Sequence, residues 1–203
     1  MIVPPAALVL AAYLLGSISF AVLVVRSRTG RDIRAEGSGN AGATNVFRAH
    51  GKKLAIFVAL LDVAKGAAAV LLMRLVTADP RWAAAAGLAA VLGHVFPVFY
   101  SFRGGKGVAT AVGAFSVLTP LALLVSLGVF VVIVAATRYV SLGSVAATAM
   151  LPLAVWLLGS RLGPTELMAP LLVTACVGGA LVIFMHRANI GRLLGGTESR
   201  LKL

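Results

Sequence analysis

Residues 36–48 read EGSGNAGATNVFR, a polar, glycine-rich stretch between two long apolar runs. Gly37, Gly39 and Gly42 allow positive φ angles, which turn successive N–H groups toward one point as in an anion-binding nest. Arg48 adds a planar guanidinium that suits phosphate. The neutral side-chain donors of the stretch are Ser38, Asn40, Thr44 and Asn45. The stretch therefore predicts a phosphate-sized pocket at a membrane surface, and the flanking apolar runs predict the fold around it.

The composition excludes an ordinary soluble domain. Of 203 residues, 60% are hydrophobic, only 18 are Lys or Arg and 6 are Asp or Glu, and the mean hydropathy is +1.02. Such a chain is an integral membrane protein. A net charge of +12 would suit nucleic acid, but the basic residues occupy short loops between apolar runs, so no nucleic-acid partner is expected. The single cysteine, Cys176, lies in an apolar run and is expected to pack there, which leaves no disulfide framework or thiolate metal cluster.

Apolar runs of about 20 residues predict transmembrane helices. The first run is too long for a signal-peptide core and has no basic residue before it, so it is interpreted as a retained span. The loop 26–53 contains seven Lys and Arg residues, which places it in the cytoplasm and the N-terminus outside. The predicted apolar stretches are Ile2–Val25, Leu54–Val76, Trp82–Phe102, Val108–Thr137, Tyr139–Ser160 and Leu167–Met185.

The run Val108–Thr137 must cross the membrane twice. Basic residues at both of its ends favour the cytoplasm, so Thr119-Pro120 is predicted to be an external turn between two short helices. Pro97 is expected to end the preceding helix early. The predicted fold is an all-α, polytopic membrane protein with seven transmembrane helices, two of them short, an external N-terminus and a cytoplasmic C-terminus. Residues 1–203 are expected to form a single integral membrane domain.

A second glycine-rich loop, SFRGGKGVAT, occupies residues 101–110. It lacks the spacing of a Walker loop, and the G-x-G-x-x-G of the first stretch follows no strand, so neither predicts a nucleotide fold. The second loop can hold phosphate through its backbone N–H groups, a helix beginning near Val108 and the Lys106 charge. The alternative is a flexible basic turn that anchors to lipid head groups. Its predicted phosphate-binding residues are Gly104, Gly105, Lys106 and Gly107.

Several polar residues inside or next to the spans leave alternatives open. Asp62 and Lys65 lie on one helical face, as a structural ion pair or as part of a site. His94 is either a packing residue or a catalytic one. His186 shares a face with Asn189 and could be a general base, a donor to substrate or a helix cap. No histidine or cysteine partners it closely in sequence, so no metal site is predicted.

Three segments together resemble one family. GSGNAGATNVFR at 37–48, GHVFPVFYSFRGGKGVAT at 93–110 and HRANIGRLLGGTES at 186–199 are similar to the bacterial acyl-phosphate:glycerol-3-phosphate acyltransferases of the inner membrane. The resemblance implies a phospholipid-synthesis enzyme that moves a fatty acyl group from acyl phosphate to the 1-hydroxyl of glycerol 3-phosphate. The products would be lysophosphatidic acid and inorganic phosphate. It implies a multi-pass protein whose active site faces the cytoplasm, and no cofactor, metal or obligate protein partner is expected.

The resemblance also implies roles for individual residues. Ser38 and Arg48 would be the essential pair of the first segment, His186 and Asn189 would support activity, and Glu198 would support structure. The loop at 104–107 would bind phosphate. An acyl phosphate is an activated anhydride, so clamping and alignment suffice without a protein nucleophile. No histidine of the chain has an aspartate five positions later, so the dyad of thioester-dependent glycerophosphate acyltransferases is missing. A phosphate-ester transporter and a nonenzymatic lipid-binding protein are the competing hypotheses.

Overall fold

The computed structural model of the protein describes residues 4–158 and 165–201, and over these residues it is all-helical. Two 3-10 turns, Ile33–Ala35 and Val98–Tyr100, accompany the α helices. The helices are α1 (Pro5–Gly16), α2 (Phe20–Thr29), α3 (Ala43–His50), α4 (Lys52–Val76), α5 (Pro80–Val95), α6 (Val108–Leu118), α7 (Pro120–Thr137), α8 (Val140–Leu158), α9 (Thr165–Met185) and α10 (Arg187–Leu194). The chain forms two compact units, Met1–Leu118 and Thr119–Leu203, and the predicted single domain stays a prediction.

The predicted set of transmembrane segments is present. Among the described residues, six helical stretches are long and apolar enough to cross a membrane, and α6 is a shorter apolar helix of 11 residues. The six are Pro5–Thr29, Lys52–Val76, Pro80–Tyr100, Pro120–Thr137, Val140–Leu158 and Met168–Met185. These seven segments confirm the predicted class, while the orientation of the termini stays a prediction. The turn predicted at 161–166 lies partly outside the described residues, since residues 161–164 are not among them. Helix α9 begins at Thr165.

The first predicted span is two helices rather than one. The helical path is interrupted between Gly16 and Phe20, where α1 ends and α2 begins. An interruption inside a membrane leaves backbone carbonyls that need hydrogen-bond donors. The Lys65 Nζ of α4 donates to the Ile18 carbonyl at 2.7 Å, so a buried ammonium satisfies part of this break. The sequence shows only an uncharged run there, which explains why the break was not predicted.

Helices of the first unit approach one another closely at glycines. A Cβ added to Gly66 of α4 would collide with the Thr110 carbonyl of α6, and a Cβ on Gly113 of α6 would collide with the Val63 carbonyl of α4. Gly93 of α5 is packed in the same way against the backbone of α1. Small residues of this kind allow van der Waals packing between helices where lipid offers little hydrophobic driving force. The glycines therefore fix α6 against α4, which positions the loop that precedes α6.

The early helix end before Pro97 and the helix boundary at Thr119-Pro120 are both present, while the external position of the turn at 119–120 stays a prediction. Helix α5 ends at Val95, two residues before Pro97, and Thr119-Pro120 separates α6 from α7. The apolar run Val108–Thr137 is divided unequally, because α6 has 11 residues and α7 has 18. At about 1.5 Å per residue, α7 approaches the thickness of the hydrocarbon core while α6 reaches only about half of it. Of these two helices α6 alone is short, so the prediction of two short helices is wrong for α7.

The expectation for Cys176 is wrong. Its side chain is exposed on α9 and does not pack inside the described protein. A lipid-facing position and a buried position are both apolar in a membrane helix, so composition does not distinguish them. This thiol must be replaced in any labelling experiment.

Candidate active site

The first glycine-rich loop adopts the backbone that its glycines predict. Gly37 and Gly39 have φ angles of 56° and 72°, the left-handed region that strains other residues. A Cβ on Gly37 would also collide with the Asn45 side chain. Helix α3 begins directly after the loop, at Ala43, with Gly42 as its N-cap. The loop thus leads directly into the positive end of α3, where backbone N–H groups favour a negative charge, and anion binding by the loop stays a prediction.

Asn45 is the internal support of this loop. Its side chain is buried, and its Oδ1 accepts from the Ser38 backbone N–H at 2.8 Å and from Ser38 Oγ at 3.2 Å. Its Nδ2 donates to the carbonyls of Ile33 at 3.1 Å and Glu36 at 2.9 Å. Both amide hydrogens are therefore used within the chain. This arrangement fixes the loop around residue 38.

The remaining predicted groups of the loop face outward. Ser38, Thr44 and Arg48 are exposed, and Asn40 is half-buried. Thr44 and Arg48 are four residues apart on α3 and so share one face of the helix. Because the Ser38 hydroxyl donates its hydrogen to Asn45, its oxygen presents lone pairs to the exposed side.

Buried apolar residues anchor the loop at its base. Ile33 before the loop, Ala41 within it and Val46 after it belong to one hydrophobic cluster with residues of α2 and α4. Ile33 and Val46 are fully buried. Burial of such side chains favours the folded state by about 1.5–3 kcal/mol each. Three residues of this region, one before the loop, one within it and one after it, thus anchor the polar loop to the core of its own unit.

The second loop lies on the end of α5. The Gly105 N–H donates to the His94 carbonyl at 3.1 Å, and a Cβ on Gly104 would collide with the same carbonyl. A Cβ on Gly105 would collide with the His94 ring and would come within 3.0 Å of the Ala41 carbonyl. Gly107 has a φ of 86°, and α6 begins after it at Val108. The structure therefore brings the two predicted phosphate loops together where Gly105 meets residue 41, with Lys106 half-buried beside them.

Three of the polar residues with open roles, Asp62, Lys65 and His94, form one buried cluster. Lys65 Nζ lies 2.8 Å from Asp62 Oδ1, and His94 Nδ1 lies 3.4 Å from the same oxygen. All three side chains are at most 5% exposed. The geometry favours the ion-pair alternative for Asp62 and Lys65, and it places His94 directly beneath the second loop.

A cavity of about 680 Å³ borders the first loop and is lined by two arginines, Arg34 and Arg103, that are not among the predicted site residues. Arg34 Nη2 lies 2.7 Å from Asp32 Oδ2, and Arg34 Nη1 donates to the Tyr100 carbonyl at 3.0 Å. The hydrogen bond from Arg34 lowers the pKa of Asp32 below its usual value. The lining residues are Asp32, Arg34, Ala35, Gly39, Ser101 and Arg103. The cluster of arginines before the first loop is the sequence signal that could have indicated these residues. The contact of Arg34 with the Tyr100 carbonyl joins distant parts of the chain, so the local sequence does not show it.

In the second unit, His186 lies between α9 and α10. It is buried, and its Nδ1 donates to the Val182 carbonyl at 2.8 Å, because a carbonyl oxygen can only accept. This bond caps α9, which is one of the roles that the sequence left open. It also directs Nε2, the ring nitrogen with the basic lone pair in the neutral form, away from α9. Asn189 follows one turn later on α10 and is also buried.

Glu198 joins three parts of the second unit. Its Oε1 accepts from Asn189 Nδ2 at 2.6 Å and from Ser141 Oγ at 2.9 Å, and its Oε2 accepts from Arg192 Nε at 2.6 Å. Burial alone would raise the pKa of Glu198, but the three hydrogen bonds outweigh it and hold that pKa below the usual value. A charged Glu198 therefore connects the C-terminal segment to α8 and to the helix that contains Asn189.

No group of three or more His, Cys, Asp or Glu side chains in the described part of the chain is arranged to hold a metal ion. The cations and backbone amides of the two loops are instead the groups that could hold an anion. The expectation of a metal-independent site stays a prediction.

The fold and these loops define an all-helical integral membrane protein with two adjoining glycine-rich loops in its first unit. A family model described as glycerol-3-phosphate acyltransferase matches residues 6–196. A glycerol-3-phosphate acyltransferase of Geobacter sulfurreducens is 50% identical over 193 residues, 94% of each chain, and one of Geotalea daltonii is 45% identical over 195 residues, 96% of each chain. The chain belongs to the glycerol-3-phosphate acyltransferase family, as its three segments indicated.

Solved structures agree with this assignment. The crystal structure of PlsY, an integral membrane glycerol 3-phosphate acyltransferase, in its glycerol 3-phosphate form matches with a TM-score of 0.87 and 44% identity. The match covers 98% of this chain and 96% of that one. The lysophosphatidic acid form matches with a TM-score of 0.83 and 42% identity over 98% of this chain and 95% of that one. The chain is therefore a membrane acyltransferase of phospholipid synthesis.

Proposed function

We propose that the acyl donor is acyl phosphate and that the acceptor is the 1-hydroxyl of glycerol 3-phosphate. The acceptor oxygen forms a bond to the acyl carbonyl carbon, and the bond from that carbon to the phosphate oxygen breaks. The products are lysophosphatidic acid and inorganic phosphate. The hydroxyl proton leaves to the departing phosphate or to a basic side chain, so atoms and charge balance without a further reactant.

The observation that carries this proposal is the meeting of the two glycine-rich loops. Gly105 of one loop packs against the carbonyl of Ala41 in the other, with Lys106 and Arg48 on the respective segments. Two phosphorylated substrates require two clusters of anion ligands, and backbone amides with one cation each supply them. A donor with a single phosphate leaving group needs alignment and charge stabilisation rather than a covalent intermediate.

The contacts of Asn45 support different roles for different residues of the first loop: some hold the loop in place and others face substrate. We propose that Asn45 holds the loop instead of contacting phosphate, because both of its amide hydrogens are used by Ile33 and Glu36. The exposed groups of Ser38, Thr44 and Arg48 then face substrate, and the lone pairs of Ser38 Oγ can accept from the acceptor hydroxyl. The N–H groups of Ser38 and Gly39 donate within the loop, to Asn45 Oδ1 and to the Glu36 carbonyl, so the backbone donors assigned to the anion are those of Gly37 and Asn40.

The donor assignment has a direct test. Purified protein in detergent, given glycerol 3-phosphate and acyl phosphate without added metal or coenzyme, is expected to release inorganic phosphate in step with lysophosphatidic acid. Acyl-coenzyme A of the same chain length is expected to give little product, because the chain lacks the His-x-x-x-x-Asp dyad that would activate the hydroxyl. Comparable turnover with acyl-coenzyme A, or none with acyl phosphate, would exclude the proposed donor.

We also propose that the site faces the cytoplasm of a bacterial inner membrane, since seven Lys and Arg residues cluster in the loop 26–53. In a Cys176→Ala background, the variants Arg31→Cys and Arg200→Cys are expected to resist a membrane-impermeant thiol reagent in intact cells. Ala78→Cys, exposed in the turn between α4 and α5, is expected to react and provides the matched control. External labelling at position 31 or 200 would contradict the orientation.

A further inference from the structure

The proposed chemistry has no direct use for the buried ionic cluster of the first unit. Asp62 and Lys65 belong to α4, and His94 belongs to the last turn of α5. Their contacts are 2.8 Å from Lys65 Nζ to Asp62 Oδ1 and 3.4 Å from His94 Nδ1 to the same oxygen. Burying charges costs free energy, and charged residues inside spans are functional candidates by default. Helix packing alone could be achieved with apolar side chains.

At one edge of the cluster, His94 packs directly against the second loop. The Nδ1 side of the His94 ring faces Asp62, and its Nε2 side lies so close to Gly105 that a Cβ there would collide with it. The His94 carbonyl accepts from the Gly105 N–H at 3.1 Å. The ring therefore lies between the Asp62 carboxylate and Gly105, the residue before Lys106. The 3.4 Å contact is too long for a strong hydrogen bond, so the ring position depends on this packing as well as on charge.

The same cluster extends to the break between α1 and α2. Lys65 Nζ donates to the Ile18 carbonyl at 2.7 Å while it pairs with Asp62. Lys65 thus fixes Asp62, Asp62 faces His94, and His94 supports Gly105. These contacts connect the irregular backbone of the first span to the phosphate loop through three buried side chains.

We propose that His94 is a positioning residue. Its ring packs beneath Gly105 and fixes the position of the Gly104–Gly107 loop relative to the Ala41 carbonyl, so that Lys106 and the loop amides can contact a substrate phosphate. The Asp62–Lys65 pair fixes the imidazole in place. This inference rests on the proposed phosphate-binding role of the second loop. His94 itself contacts no substrate and acts through the loop.

The test compares steady-state kinetics of full-length His94→Ala, Lys106→Ala and the double variant in detergent, with both substrates varied. His94→Ala is expected to raise the KM of one phosphorylated substrate by about tenfold or more, with a smaller change in kcat. That substrate is expected to be the one whose KM rises in Lys106→Ala. The double variant is expected to fall short of the product of the two single fold-changes, since residues that act through one contact are not additive.

His94→Gln and His94→Asn separate positioning from general packing. Glutamine reaches the place of Nε2 beneath Gly105, whereas asparagine reaches only that of Nδ1 beside Asp62. If both variants fold with similar thermal unfolding midpoints, the glutamine variant is expected to keep a KM nearer that of the unmodified protein. The comparison remains available if His94→Ala does not fold.

Each contrary outcome has a defined meaning. Unchanged KM values in Lys106→Ala would remove the phosphate role of the loop and the positioning role with it. A raised KM in Lys106→Ala with none in His94→Ala or His94→Asn would overturn the positioning inference alone. A KM effect of His94→Ala on the other substrate, or fold-changes that multiply in the double variant, would show that His94 does not act through Lys106.

Discussion

Arg48→Lys is expected to lower kcat/KM for acyl transfer by a factor on the order of 10², although the formal charge is unchanged. Arg48 is exposed in the last turn of α3, on the same face as Thr44, and α3 itself directly follows the glycine-rich loop. A guanidinium offers a planar pair of N–H donors that matches two phosphate oxygens, whereas an ammonium is a compact point charge. Loss of the second donor should destabilise the transition state most, because the charge on the phosphate changes there.

The matched control is Arg31→Lys, the same substitution at an exposed arginine before the first loop. It should leave kcat/KM within about twofold, as expected of a surface substitution. Initial rates of phosphate release with purified variants give the comparison, and thermal unfolding checks that both fold. Near-unmodified kinetics in Arg48→Lys would remove Arg48 from the phosphate site.

Local chemistry made much of this fold predictable. In a chain with 60% hydrophobic residues, glycine and charge clusters mark the loops, and prolines at 97 and 120 mark helix boundaries. The sequence does not show where backbone is supported by distant side chains. The break between α1 and α2 depends on Lys65, which is 47 residues away from the carbonyl that it satisfies.

The same limit applies to the site. The residue type of Asn45 predicts a phosphate ligand, which stays a prediction, whereas the structure shows that both of its amide hydrogens donate to backbone carbonyls, those of Ile33 and Glu36. His94 was ambiguous for a related reason, since its partners Asp62 and Gly105 come from a different helix and a later loop. Residue type therefore indicates chemistry, while long-range contacts decide whether that chemistry faces substrate or protein.

His186→Asn should separate a chemical role of His186 from its capping role. The asparagine amide can replace Nδ1 as the donor to the Val182 carbonyl, so α9 remains capped, but it provides no basic nitrogen at the place of Nε2. If His186 accepts a proton or orients the acceptor, turnover should fall by roughly 10² to 10⁴, the range for general acid–base groups. We expect this loss in both His186→Asn and His186→Ala.

Thermal unfolding distinguishes the two variants. His186→Ala removes the bond to Val182 and should lower stability by about 1 kcal/mol or more, because a buried hydrogen bond is lost, while His186→Asn should unfold close to the unmodified protein. Arg187→Lys, at the exposed neighbouring position, controls for disturbance at the start of α10 and should keep normal turnover. Full turnover in His186→Asn together with a destabilised His186→Ala would leave His186 as a cap for α9, and the proton of the acceptor hydroxyl would then have to leave to phosphate or to another group.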